Sequence, residues 1–227
     1  MRNRIATGQT AQPTTAGTCS AKWRLLITIT ALALFSLTAR AQNVTHVKVR
    51  DNGAQATFTS LDSTGCVETD AVLLVDMQSV KQMPDGSTTT IPFAALSLTT
   101  LDFCAGLQID AFGTTDTFTF QMDGISTASF QATIPMLENN NASPGVANIS
   151  ASWDASGQVT MATNHEVIRS PGLLTVSNLG GSFRDANATA SVSASYDDGV
   201  TMSLVGPSQA ANLGTTTDGE ITIIRQH

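Results

Sequence analysis

From Ala186 to Tyr196 apolar side chains fall on every second position, Ala186, Ala188, Ala190, Val192, Ala194 and Tyr196, with Asn187, Thr189, Ser191, Ser193 and Ser195 between them. A period of two is that of a strand with one face turned to a core and the other to water. The alternation returns at Phe118, Phe120 and Met122, at Phe130, Ala132, Ile134 and Met136, and at Ala147, Ile149, Ala151 and Trp153. Val200, Met202 and Leu204 carry it again, as do Ile221 and Ile223. Beyond residue 42 no window of similar length shows the i, i+3, i+4 spacing of a helix. The Thr, Ser, Ala and Val that dominate the chain suit pleated, half-buried surfaces.

Turn signals divide these runs. Asp51-Asn52-Gly53, Pro84-Asp85-Gly86, Asp123-Gly124, Ser156-Gly157, Asp197-Asp198-Gly199 and Asp218-Gly219 supply residues that tolerate positive φ or hydrogen-bond their own backbone, and they read as hairpin tips. The spacing predicts an all-β domain of roughly ten to twelve antiparallel strands. The expected architecture is a two-sheet β-sandwich, jelly-roll or immunoglobulin-like, with a barrel as the second choice. Leu137 to Gly145, Gly206 to Thr217 and Asn164 to Pro171 lack clear alternation and read as longer connections.

The start of the chain has a different pattern. Leu25 to Ala39 is a continuous apolar run behind Lys22, Trp23 and Arg24, shorter than the roughly 20 residues a helix needs to cross a bilayer. It ends on Ala39-Arg40-Ala41, the small-x-small triplet of an export signal. Residues 1–41 are therefore expected to be a cleaved signal peptide and 42–227 a single secreted domain, extracellular or periplasmic, beginning at Gln42. Five of the 11 Lys and Arg leave with the leader, six stay against 18 Asp and Glu, and the formal charge of the remainder is −12. A chain this acidic repels phosphate backbones and anionic lipid, so neither nucleic acid nor membrane insertion after cleavage is expected.

Two cysteines, Cys66 and Cys104, remain after the leader. In an exported protein a lone pair reads as one disulfide. Two buried thiols or a nucleophilic cysteine are the alternatives, and no cationic neighbour in sequence lowers either thiol's pKa.

The runs Asp62-Ser63-Thr64-Gly65-Cys66-Val67-Glu68 and Asp102-Phe103-Cys104-Ala105-Gly106 resemble the paired G-C and D-x-C-x-G motifs of an uncharacterised family of secreted bacterial β-sandwich proteins. Ile149-Ser150-Ala151-Ser152-Trp153, Gly181-Ser182-Phe183-Arg184-Asp185-Ala186 and Asp218-Gly219-Glu220-Ile221 are similar to later elements of it. The resemblance implies bacterial export and a β-sandwich, and brings no activity.

Chemistry is sparse. Past the leader the histidines are His46, His165 and His227, and no HExxH, Cys/His zinc spacing, G-x-S-x-G elbow or phosphate-binding glycine loop occurs. His165 and Glu166, with Arg169 nearby, are the one place where an imidazole and a carboxylate adjoin, so a hydrolase would have to use His165 as its base. Asp197 and Asp198 are the best oxygen cluster for calcium, with Asp62 and Asp70 beside the first cysteine as a second choice. Trp153 and Tyr196 sit on apolar faces, which leaves few exposed rings for stacking on sugars.

These features point to a secreted, non-catalytic β-domain serving as an envelope-associated or extracellular interaction module, its partner an extracellular protein or glycan. No catalytic residue and no cofactor are assigned. A calcium- or carbohydrate-binding module and a secreted hydrolase are the alternatives.

Overall fold

The computed structural model describes residues 45–83, 86–139, 142–170 and 173–224, with side chains for 47–81, 86–139, 142–167 and 176–218. The leader, Pro84 and Asp85 lie outside the described residues. Those described are all-β. Ten strands follow one another: β1 Thr45–Leu61, β2 Val67–Met83, β3 Thr88–Asp102, β4 Leu107–Thr115, β5 Thr119–Asp123, β6 Thr127–Glu138, β7 Ser143–Ala155, β8 Thr160–Ser170, β9 Leu173–Tyr196 and β10 Thr201–Ile224. All pairings are antiparallel.

The strands form one sheet where two were expected. Following the hydrogen bonds from β1 through β2, β3, β4, β6, β7, β9 and β10 returns to β1, so the sheet closes on itself, with β5 attached to the side of β6. The seam is narrowest between β4 and β6, where three residue pairs join the strands. At the seam Gly113 has no room for a side chain, because a Cβ there would run into the Pro135 carbonyl and the Met136 sulfur.

The interior is built from the alternating positions. Ala54, Ala56 and Phe58 of β1, Leu73 and Val75 of β2, Leu96 and Leu98 of β3, Ile134 of β6 and Val192 of β9 are all buried. Alanines recur on nearly every wall, and small side chains let a closed ring of strands fill its own centre. Trp153 of β7 is buried, and its Nε1–H donates to the carbonyl of Gln55 on β1 at 3.1 Å, joining two strands that are not neighbours in the sheet. Tyr196 is buried as its alternation predicts.

Several expected connections are strands. Gly206 to Thr217 belongs to β10, paired with β1 and β9, and Asn164 to Ser170 is most of β8. Asp51-Asn52-Gly53 lies inside β1, and Asp218 is within β10. Asn, Gly, Asp and Pro disfavour strands only weakly, and cross-strand pairing, on both sides of β1 and β10 and with β9 alone for β8, overrides the local preference here. In the Leu137 to Gly145 stretch, strands reach Glu138 and resume at Ser143. Gly124, just after Asp123 closes β5, and Ser156-Gly157 and Asp197-Asp198-Gly199 do fall between strands, each glycine at positive φ.

Cys66 and Cys104 form a disulfide, with Cα atoms 5.4 Å apart. It joins the β1–β2 and β3–β4 turns, which lie side by side because Val67 pairs with Asp102. The two motifs around the cysteines are turn chemistry. Asp62 accepts the backbone N–H groups of Cys66 and Val67 and the Thr64 hydroxyl, while Asp102 accepts those of Cys104 and Ala105. The Thr64 hydroxyl, with the backbone donors, holds the Asp62 carboxyl below its ordinary pKa.

Candidate functional site

Beyond the closed ring, six strands continue as an open extension in the order β8, β9, β10, β1, β2, β3. The cause is length: β9 and β10 have 24 residues each, and β9 pairs with β7 only from Ala186 onward and with β8 only up to Phe183. Among the described residues, the first half of β3, Thr88 to Phe93, pairs with β2 alone, and β8 pairs with β9 alone. Both edges of the extension are therefore unpaired, and Ile91, Phe93, Met161 and Val167 are exposed along them.

Register sorts charge onto the two faces of this extension. Asp51 on β1 stands opposite Gln78 and Thr216; Gly53, two residues on, stands opposite Asp76; Val49, two residues back, stands opposite Asp218. Cross-strand partners and second neighbours share a face, so Asp51, Asp76 and Asp218 lie on one face, one from each of three adjacent strands. It is the face opposite the core residues Ala54, Val75 and Leu213.

The three carboxyls are half-buried there. Asp51 Oδ2 accepts the Thr216 hydroxyl at 3.0 Å, and its Oδ1 is buried without a hydrogen-bond partner among the described residues. On the same face the Phe183 ring lies over Gly181 and Gly214, where an added Cβ would come to 2.9 Å from it, so glycine at both positions makes room for the phenyl group. Burial first, and then the charge of Asp51, pushes the Asp76 carboxyl up to about 6. The same two causes raise Asp218. The arrangement can hold a proton near neutrality, but among the described residues no three His, Cys, Asp or Glu side chains are placed to hold a metal ion.

The other face is cationic. Lys48 and Arg50 on β1 alternate with the carboxylate positions, and Lys81 on β2 is directly opposite Lys48, with Arg50 on the diagonal. All three are exposed. Arg184 shares this face nearer the ring, through its pairing with Leu213, and its Nε–H donates to the Gly157 carbonyl at 3.0 Å. No Asp or Glu with a described side chain occupies this face, and no Lys or Arg occupies the other.

The sequence-derived candidates are placed differently. His165 and Glu166 are exposed and consecutive in β8, so their side chains point to opposite faces. His165 Nδ1 hydrogen-bonds Oδ1 of Asn178 across the β8–β9 ladder, and that contact is with an amide where a triad needs a hydroxyl and an acid. The side chain of Arg169 lies outside those described. Asp197 and Asp198 form the β9–β10 turn. The Asp197 N–H donates to the Pro144 carbonyl, the Asp198 N–H to the Ser143 hydroxyl, and the Asp198 carboxylate accepts the Val200 N–H. Asp70 accepts the Thr59 hydroxyl at 2.6 Å.

Glu138 is fully buried at the end of β6, opposite Ser143. With Asp198 it adds to the burial that raises the Tyr196 phenol to about 12. Two shallow, open depressions lie on the ring, one of about 490 Å³ among β5, β6 and β7 with Asp123, Ser129 and Asp154 in its lining, the other of about 460 Å³ among β7, β9 and β10 with Thr189, Val205 and Pro207 in its lining. No helix among the described residues is long and apolar enough to cross a membrane.

Reading along the chain misses the acidic trio, because Asp51 and Asp218 both sit in turn-like tripeptides and are far apart in sequence; only the β1–β10 register unites them. The cationic face follows the same period of two, with Lys48 and Arg50 on alternate residues of β1. Compared with known protein families and with curated proteins, the sequence matches neither a family nor a protein.

Proposed function

We propose that this is an exported, non-catalytic interaction module, and that its contact surface is the open six-stranded extension. The observation that carries the reading is the sorting of charge by face on a sheet whose two edges find no partner strand among the described residues. A wall that only closed a core would need neither feature. Unpaired edges are usually shortened, charged or covered, because they offer a ready row of backbone donors and acceptors. Here Pro92 and the mixed charge of β8 restrain pairing without hiding the surface. The dominance of hydroxyl and amide side chains on the outer walls agrees with a hydrated, extracellular setting, and the disulfide with an oxidising one. The likeness of the cysteine motifs to secreted bacterial proteins supports the same compartment.

The test is hydrogen exchange on the protein purified as the exporting cell processes it, with and without a panel of envelope and environmental polysaccharides, each with and without calcium. Saturable binding should protect amides in residues 45–53, 76–93, 160–183 and 214–224. Protection confined to the outer wall of the closed ring would overturn the assignment of the extension.

A further inference from the structure

We propose that the cationic face of the extension, centred on Lys48, Arg50 and Lys81, binds an acidic polysaccharide, a sugar polymer carrying carboxylates along its length. The proposal rests on the reading of the extension as the contact surface and names what that surface takes.

The first argument is electrostatic. Lys48 and Lys81 are paired directly across two strands, and like charges so placed destabilise a sheet. Arg50 adds a third positive charge on the diagonal. No ion pair engages any of the three among the described residues, and the carboxylates at Asp51 and Asp76, though adjacent in sequence or register, are turned to the opposite face. In a domain whose formal charge after the leader is −12, half of the six remaining cations are gathered at one exposed spot, and among the described side chains no carboxylate shares it. An anionic ligand relieves that repulsion.

The second argument concerns the kind of anion. In-register Cα atoms across an antiparallel pair are about 4.5–5.5 Å apart, and residues i and i+2 about 7 Å, so the three charges form a short flat triangle suited to successive groups on an extended chain. Hydroxyls surround it: Thr88 is opposite Lys81, and Thr217 is opposite Arg50. Hydroxyl and ammonium donors together match a sugar that offers both hydroxyls and carboxylates. A nucleic acid fits less well, since duplex binding draws on roughly six to ten phosphate contacts and single strands want aromatic stacking platforms, of which this face has none among the described residues.

The experiment measures binding of the processed protein to polygalacturonate, to the same polymer with its carboxylates methyl-esterified, and to a DNA duplex, by calorimetry at low and moderate salt. The expected result is binding to the free acid that weakens as salt rises, with little to the ester or the DNA. The triple variant Lys48→Ser, Arg50→Ser, Lys81→Ser should bind the acid about ten-fold or more weakly, the order expected from losing three exposed charge contacts. Its melting temperature should be no lower than that of the wild type, because a like-charge pair has been removed; Arg50→Gln alone, which leaves the backbone pairing untouched, should weaken binding in the same direction.

Equal binding of acid and ester, equal binding of DNA, or unchanged affinity in both variants would overturn the proposal. So would a concentration-dependent self-association of the wild type that the triple variant abolishes, which would put a second copy on this face. Any of these could occur while exchange protection still maps to the extension, so failure of the ligand assignment and failure of the surface assignment are separately visible.

Discussion

Replacing Asp76 by Asn should stabilise the protein at neutral pH, and by an amount that depends on pH in a defined way. Burial among β1, β2 and β3, next to the Asp51 charge, raises the Asp76 carboxyl to about 6. In the unfolded chain it titrates near its ordinary value of about 3.9. The native state therefore holds the proton more tightly, and between pH 4 and pH 6 folding loses free energy as pH rises. Above pH 6 the whole penalty is present. Two pKa units correspond to about 3 kcal/mol, and at 2–4 °C per kcal/mol for a domain of this size the melting temperature should differ by roughly 6–12 °C.

The assay is thermal unfolding of wild type and Asp76→Asn from pH 4 to pH 8 at fixed ionic strength. The difference between the two curves isolates this residue from the other carboxylates, including Asp62, whose lowered pKa acts in the opposite sense. It should be near zero at pH 4 and grow to its full value by pH 7. A difference that is flat with pH, or a variant that melts below the wild type at pH 7, would refute the account of a costly, crowded carboxylate.

Four further outcomes follow from the fold. Tyr196 is the only tyrosine in the chain, so ultraviolet titration of the native protein reads it alone; tyrosinate should appear with a midpoint near 12 rather than 10, or earlier only if the protein unfolds. Because the unfolded phenol ionises first, the stability that Tyr196 contributes should fall as pH rises from 10 to 12. Replacing Cys66 and Cys104 together by Ser removes a cross-link spanning 38 residues and should cost about 4 kcal/mol in denaturant unfolding, whereas a loss under about 1 kcal/mol would mean the turns hold themselves. Gly113→Ala places a methyl group against the Pro135 carbonyl at the three-pair seam and should cost about 1–3 kcal/mol, with exchange protection lost first in β4 and the end of β6. Trp153→Phe, which gives up the indole hydrogen bond to Gln55, should cost about 1–3 kcal/mol in the same measurement.

The sequence by itself determined the class of structure, the strand count and the part of the core that β6, β7, β9 and the start of β10 supply. Side chains alternate along a strand whatever lies beside it, so Ala186 to Tyr196 and Ala147 to Trp153 announce their buried faces locally, Trp153 and Tyr196 among them. The cysteine pair was legible for a similar reason: with only two thiols past the leader there was one bond to make. Which strand pairs with which is not a local property. An apolar face looks the same whether it is covered by a second sheet or by the far wall of its own closed sheet, so the ring had to come from tertiary structure. The same is true of Asp51-Asn52-Gly53 and Gly206 to Thr217, where partners on both sides hold turn-prone residues in extended conformation. It is most consequential at the candidate surface. Register alone places Asp51, Asp76 and Asp218 on one face, sets Lys48 against Lys81 on the other, and turns His165 and Glu166 apart, because a shift of one residue in any of those ladders would exchange the faces.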